Sequence, residues 1–250
     1  MNNKNESLKI VVFDLDETLG CFVQFGVFWD TLISYMKLAN KGKLDQNQEV
    51  FNEFLDLYPE FLRPHILTIL EYLKLQKQNG VCDAVMIFTN NSGPPSWAEH
   101  IKKYLEHKIN YKLFDKVIGA YEVDGIIREK CRTSHEKSYR DLLRCANIHV
   151  PAKVCFVDDL LHRSMINQNV DYIKINPYVF HLPPLLIVER ALKSHYIKKH
   201  LHDVAFFKNY MMINISKYRF HFNRKTKMEY DVDIIATKKT FHYIEKFLQS

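Results

Sequence analysis

No Cys-x-x-Cys pair occurs among the five cysteines, Cys21, Cys82, Cys131, Cys145 and Cys155. Cys82 and Cys155 sit in or beside apolar runs. That placement argues for a reduced intracellular protein, cytoplasmic or nuclear, with buried thiols rather than a disulfide framework. The longest apolar runs are too short to span a bilayer, so no membrane partner is expected. The polar N-terminus opens almost directly into a strand pattern, so no signal peptide is expected. Only seven glycines occur in 250 residues, with no low-complexity run and no internal repeat. The histidines, His65, His135 and His162 among them, show no metal spacing and read as packing or surface residues.

The apolar content is ordinary for a globule and suffices for a sizeable core. The length suits one α/β domain with an extension, or two small domains. Charge is unevenly spread. Residues 181–250 hold 13 Lys+Arg against 6 Asp+Glu, a balance of +7, which leaves 22 basic and 23 acidic residues before them. The basic character therefore belongs to the tail. It reads either as a solvated face or as a site for an anionic partner, nucleic acid or an acidic protein.

Ile10-Val11-Val12-Phe13 is a short buried-strand pattern, and it runs into Asp14-Leu15-Asp16-Glu17-Thr18-Leu19. Two carboxylates one residue apart are costly unless a cation or a shared proton offsets them. A Mg²⁺ site at the carboxyl end of a parallel strand meets that need. Beyond it, Gly20–Gly26 suggests a small flap hairpin. Val27–Leu38 and Gln48–Tyr58 read as two helices flanking a polar loop at Asn40–Asp45, an insertion that either covers the core or acts as a lid. Pro64 is placed to open a helix that ends before Gly80. Val81–Phe88 is a second strand, Trp97–His107 a helix, Phe114–Ala120 a third strand and Glu122–Gly125 a turn. Thr133-Ser134-His135-Glu136 matches a capping box, which would put Lys137 in the first turn of a helix. Lys153–Val157 is a fourth strand ending in Asp158-Asp159, and Val170–Ile175 a fifth. Alternating strands and helices imply a three-layer α/β sandwich with a central parallel sheet. Three prolines in Asn176–Pro184 mark a boundary. After it, helices are expected over Leu185–Phe207 and Thr237–Leu248, and the alternation in Tyr210–Phe222 suits a strand.

Polar residues at three strand ends, Asp14 with Asp16, Thr89 with Asn90, and Asp158 with Asp159, converge along one edge of such a sheet. Lys137 can reach the same edge, with Lys130 and Arg140 as competitors for its role. The set suits phosphoryl transfer through an aspartyl phosphate. A carboxylate attacks phosphorus only when the phosphate charge is neutralised, hence Mg²⁺ and Lys137. The leaving alkoxide needs a proton, hence Asp16. The phosphoryl oxygens need donors, hence the Thr89 hydroxyl; Asn90 is a candidate to orient the phosphate.

These residues resemble the four motifs of the haloacid dehalogenase superfamily: Asp14-Leu15-Asp16-Glu17-Thr18-Leu19, Ile87-Phe88-Thr89, Lys137 and Val157-Asp158-Asp159. The resemblance covers roughly residues 8–180. Asp14–Leu19, the Leu62-Arg63-Pro64 helix start and the late acidic pair resemble the NLI-interacting-factor-like phosphatases related to those acting on the RNA polymerase C-terminal domain. The resemblance implies Asp14 as nucleophile and Asp16 as acid/base. It implies Mg²⁺ on Asp14, the Asp16 carbonyl, Asp158 and Asp159. It also implies a catalytic domain over 1–180, with an insertion at about 20–60, and leaves 181–250 as a basic, mainly helical extension. A phosphoprotein is the expected substrate. Thr89-Asn90 is closer to what polynucleotide 3′-phosphatases of the superfamily carry, so a nucleic-acid end is the alternative. Leu160-Leu161 stand where a Ser-Pro is expected. The third possibility is a non-catalytic protein of this fold that docks an anionic partner through Lys217, Arg219, Arg224, Lys225 and Lys227.

Overall fold

The apolar run Ile10–Phe13 lies in the middle of the sheet. In the computed structural model, which describes residues 7–39, 44, 47–222 and 225–250, β1 (Leu8–Phe13) is the central strand of a five-stranded sheet. With β2 (Ala84–Phe88), β3 (Lys116–Ile118), β6 (Ala152–Asp158) and β7 (Val170–Lys174), the order is β3-β2-β1-β6-β7, and every pairing is parallel. The strand pleat explains two separate cores. Val11 and Phe13 join Val85, Ile87, Cys155 and Val157 on one face. Ile10 and Val12 join Met86, Phe88, Val154 and Phe156 on the other. Both faces are covered, as a parallel sheet requires, and the strands read as continuous apolar runs for that reason.

The first face carries most of the helices: α1 (Val23–Leu38), α2 (Gln48–Asp56), α3 (Ile66–Gln78) and α4 (Pro95–Lys108). From residues 181–250 it also takes α6 (Pro184–Ala191), α7 (His195–His200), α8 (Val204–Ser216) and α9 (Lys227–Gln249). The second face is covered by α5 (Tyr139–Cys145) and Met165. Lys9 ties the end of α9 to β1, donating from Nζ to the carbonyls of Leu248 at 2.9 Å and Ser250 at 2.6 Å.

Several local expectations are corrected. Gly20–Gly26 forms no hairpin, because α1 already begins at Val23. Instead Cys21 N–H donates to the Phe61 carbonyl at 2.7 Å. A Cβ on Gly20 would lie 2.4 Å from that carbonyl oxygen, so only glycine permits the approach. Pro64 does not open α3: His65 takes a left-handed conformation (φ 62°) and the helix starts at Ile66. Glu122–Gly125 is part of a hairpin, β4 (Glu122–Val123) and β5 (Ile126–Ile127), turning through Asp124 and Gly125, both at positive φ. The proposed capping box is absent. Ser138 is the N-cap of α5, and Thr133 bonds the buried Asp141 carboxylate through its N–H and hydroxyl. Tyr210–Phe222 is no strand. Phe207, Met211 and Ile215 recur every fourth residue and bury a helical stripe, whereas Ile213 of the apparent alternation is exposed. Cys131 and Cys145 form a disulfide with Cα atoms 5.0 Å apart, so the all-thiol expectation holds only for the buried Cys21, Cys82 and Cys155. Apart from Leu44, the loop Asn40–Asp45 lies outside the described residues, and so does Arg224. No helix among the described residues is long and apolar enough to cross a membrane.

Candidate active site

Parallel pairing of Phe13 with Val157 brings the next residues of both strands, Asp14 and Asp158, to one edge. Asp14 N–H still donates to the Val157 carbonyl at 2.9 Å, which fixes the carboxylate in sheet register. Lys137 comes from the segment before α5. Its Nζ lies 5.8 Å from the ring centres of both Phe88 and Phe156. It donates to Asp14 Oδ1 at 2.5 Å and to Asp158 Oδ2 at 2.7 Å. All three side chains are buried. Thr18 adds the fourth member. Its hydroxyl donates to Asp159 Oδ1 at 3.3 Å and accepts the Asp159 N–H at 3.2 Å.

Asp14, Asp158 and Asp159 can each offer a carboxylate oxygen with all three atoms within 4.8 Å of one another. Three hard, buried oxygen donors that cannot all be neutralised by one lysine fit a divalent cation such as Mg²⁺. The Asp16 side chain stands apart from this trio. Its Oδ2 accepts the Asn91 amide at 2.6 Å, and its buried Oδ1 has no hydrogen-bond partner. Asp14, Asp16, Thr89, Asn90, Lys137 and Asp159 nonetheless line one cavity of about 350 Å³.

Burial governs the electrostatics. It pushes the Asp14 carboxyl from 3.8 up to about 7; Lys137 opposes that shift and Asp158 adds to it. Asp16 is also raised by burial, against the Asn91 hydrogen bond. Asp159 is raised by burial and by Asp158. Such a cluster stores charge repulsion that a cation or a proton can relieve.

Lys137, rather than the exposed Lys130 or Arg140, lies between the two carboxylates. The capping-box argument for it does not hold, since Lys137 precedes the N-cap. Thr89 Oγ1 accepts Asn91 N–H at 3.0 Å, which leaves its own proton free to donate. The Asn90 amide is committed elsewhere, to the His135 carbonyl at 3.0 Å. Its neighbour Asn91 faces Asp16, and the turn-like Thr89-Asn90-Asn91 gives no signal of which asparagine does so. Arg132 escapes sequence reading altogether. Buried against the Phe88 ring, it donates to the carbonyls of Thr89, Gly119 and His135 and so ties the Lys137 segment to the end of β2. His162 is a site residue and not simply packing: it is buried on the cavity wall, with Nδ1 3.3 Å from Glu136 Oε2 and Nε2 3.5 Å from Asp158 Oδ2.

The family model for NLI interacting factor-like phosphatases matches residues 9–204. No curated protein and no solved structure matches the chain.

Proposed function

The chain belongs to the NLI interacting factor-like phosphatase family, HAD-type phosphomonoester hydrolases, and from that premise we propose that it dephosphorylates a phosphoprotein through an aspartyl-phosphate intermediate on Asp14. The observation that carries this reading is the Lys137 ammonium bridging Asp14 and Asp158 beside a third carboxylate at the sheet edge.

In this reading the Asp14 carboxylate attacks phosphorus, and the P–O bond to the leaving group breaks. Asp16 donates a proton to the departing alkoxide; burial raises its carboxyl above the ordinary value, the direction a general acid needs. Asp16 then takes a proton from water, which attacks the acyl phosphate, frees inorganic phosphate and restores Asp14. Lys137 offsets the negative charge that gathers around Asp14. The Thr89 hydroxyl donates to a phosphoryl oxygen. Mg²⁺ held by Asp14, Asp158, Asp159 and the Asp16 carbonyl would supply Lewis-acid neutralisation of the phosphate.

We assign the chemistry to residues 1–180, with 181–250 as an extension, in an intracellular setting, cytoplasmic or nuclear. The anionic-partner surface on that extension reduces to Lys217, Arg219 and Lys227 among the described residues, because Lys225 is ion-paired with Asp233 at 2.5 Å.

The test is hydrolysis of nitrophenyl phosphate with Mg²⁺, abolished by a chelator, followed by a panel of phosphopeptides and 3′-phosphorylated oligonucleotides. Turnover of phosphopeptides at higher kcat/KM is expected. Preference for the oligonucleotides would select the polynucleotide 3′-phosphatase, and no turnover of any substrate would leave a binding protein.

A further inference from the structure

Arg63 is among the most buried large side chains of the protein, 1 % exposed. Among the described residues no carboxylate forms an ion pair with it. Its hydrogen bonds go to backbone oxygens instead. Nε donates to the Thr18 carbonyl at 2.6 Å, and Nη2 donates to the Glu17 carbonyl at 2.5 Å and the Asn176 carbonyl at 2.7 Å. Its own N–H donates to the Leu19 carbonyl at 3.1 Å. The chain it grips is strained, since Glu17 sits at φ 59° with a side chain that disfavours that region.

The gripped segment lies between two groups of the candidate site. Asp16 precedes it, and Thr18, whose hydroxyl holds Asp159, is inside it. The Thr18, Glu17 and Asn176 carbonyls are met together by the planar fork of one guanidinium, which offers five N–H donors and no acceptor. Without it, these oxygens would be buried with fewer donors, and the loop would relax to recover them.

The guanidinium is itself propped. It lies 5.5 Å over the Tyr178 ring, and Tyr178 N–H donates to the Glu17 carbonyl at 2.8 Å. Lys225 Nζ lies 4.4 Å from the same ring and pairs with Asp233 of α9. Lys225 and Asp233 lie beyond residue 204, where the family match ends. The charge of Asp233 also favours the cationic form of Arg63 against the cost of burial.

We propose that Arg63 is a positioning residue for the phosphatase reaction. It locks the Glu17–Thr18 backbone so that Asp16 and Thr18 keep their places, and the C-terminal extension supports it through Tyr178 and the Lys225–Asp233 pair. The inference rests on the reading of Asp16 as general acid.

The experiment compares wild type, Asp16→Asn, Arg63→Lys, Arg63→Gln and Lys225→Met on an alkyl phosphomonoester and on nitrophenyl phosphate. Mg²⁺ affinity of the metal-stripped proteins is measured by calorimetry. Loss of a supporting group behind a functional one is worth roughly ten- to a hundredfold. The Arg63 variants are expected to lose kcat to about that extent on the alkyl ester and only about threefold on nitrophenyl phosphate, whose leaving group needs little protonation. KM should change little, and Mg²⁺ should bind more weakly. Lys225→Met should show the same asymmetry at about threefold on the alkyl ester. Equal losses on both substrates, or unchanged kcat with only a lower melting temperature, would mark Arg63 as a plain structural tie and overturn the proposal. If Arg63→Gln does not fold, Arg63→Lys and Lys225→Met decide by the same criterion. An Asp16→Asn enzyme without the leaving-group asymmetry would instead refute the general-acid reading. Asymmetry in Asp16→Asn but in none of the other variants refutes the Arg63 proposal alone.

Discussion

Asp14 is held at 2.5 Å from Lys137 Nζ and in sheet register by its own N–H, so its carboxylate has little freedom to be replaced by a neighbour. Asp14→Asn should lower turnover about a thousandfold or more, because an amide cannot form the acyl phosphate. Near wild-type Mg²⁺-dependent turnover in that variant would remove Asp14 from the nucleophile's role. Asp14 and Asp158 were legible because each stands at the end of an apolar strand, with Asp16 and Asp159 just beyond, and strand ends of a parallel sheet share an edge. Asn91, Arg132 and His162 were not. Asn91 is one of two adjacent asparagines, and only the turn geometry chooses it for Asp16. Arg132 acts on carbonyls from three separate segments, which no local pattern records.

At the scale of elements, the helical insertion is joined by aromatic packing, while Asn47 caps α2 by accepting the Val50 N–H. Phe25 of α1 lies 5.3 Å from Phe51 of α2 in an edge arrangement, 5.9 Å from Tyr58 and 6.0 Å from Trp97 of α4. Such ring pairs add to what burial alone contributes. Phe25→Ala should therefore cost about 3–5 kcal/mol, a fall in melting temperature of roughly 10 °C for a chain of this size. A change within about 1 kcal/mol would mean the insertion repacks freely. The periodicity of α3, α4 and α9 is readable because tertiary burial and helical spacing agree there. At Tyr210–Phe222 they conflict: a two-residue alternation overlies the four-residue stripe of Phe207, Met211 and Ile215, and contact with the first-face core selects the helix. The same kind of competition removes the capping box, since Asp141 binds Thr133 more directly than a helix start would.

For the whole molecule, the acidic cluster makes stability depend on pH and on divalent cation. The folded pKa of Asp14 is raised from 3.8 to about 7. Its favourable contribution is therefore complete below the unfolded value and is lost as pH rises through about 7. The metal-free protein should melt several degrees lower at about pH 8 than at about pH 5, and Mg²⁺ should raise the midpoint more at the higher pH, as expected of a cation held by the folded, deprotonated trio. A midpoint that rises over that window and ignores Mg²⁺ would show that the carboxylates are not coupled as the geometry implies. The sequence by itself determined the parallel sheet, the strand that carries Asp14, the order of the polar strand ends and the basic charge excess of residues 181–250. Those features rest on local periodicity and on the rule that parallel strands present one edge. Only the tertiary structure decided that Lys137 bridges Asp14 and Asp158 from outside a helix, that Asn91 rather than Asn90 meets Asp16, that Cys131 meets Cys145, and that Arg63 holds the Glu17–Thr18 backbone. Each of those is a meeting of residues from different segments, and its energy comes from burial and direction that no single segment contains.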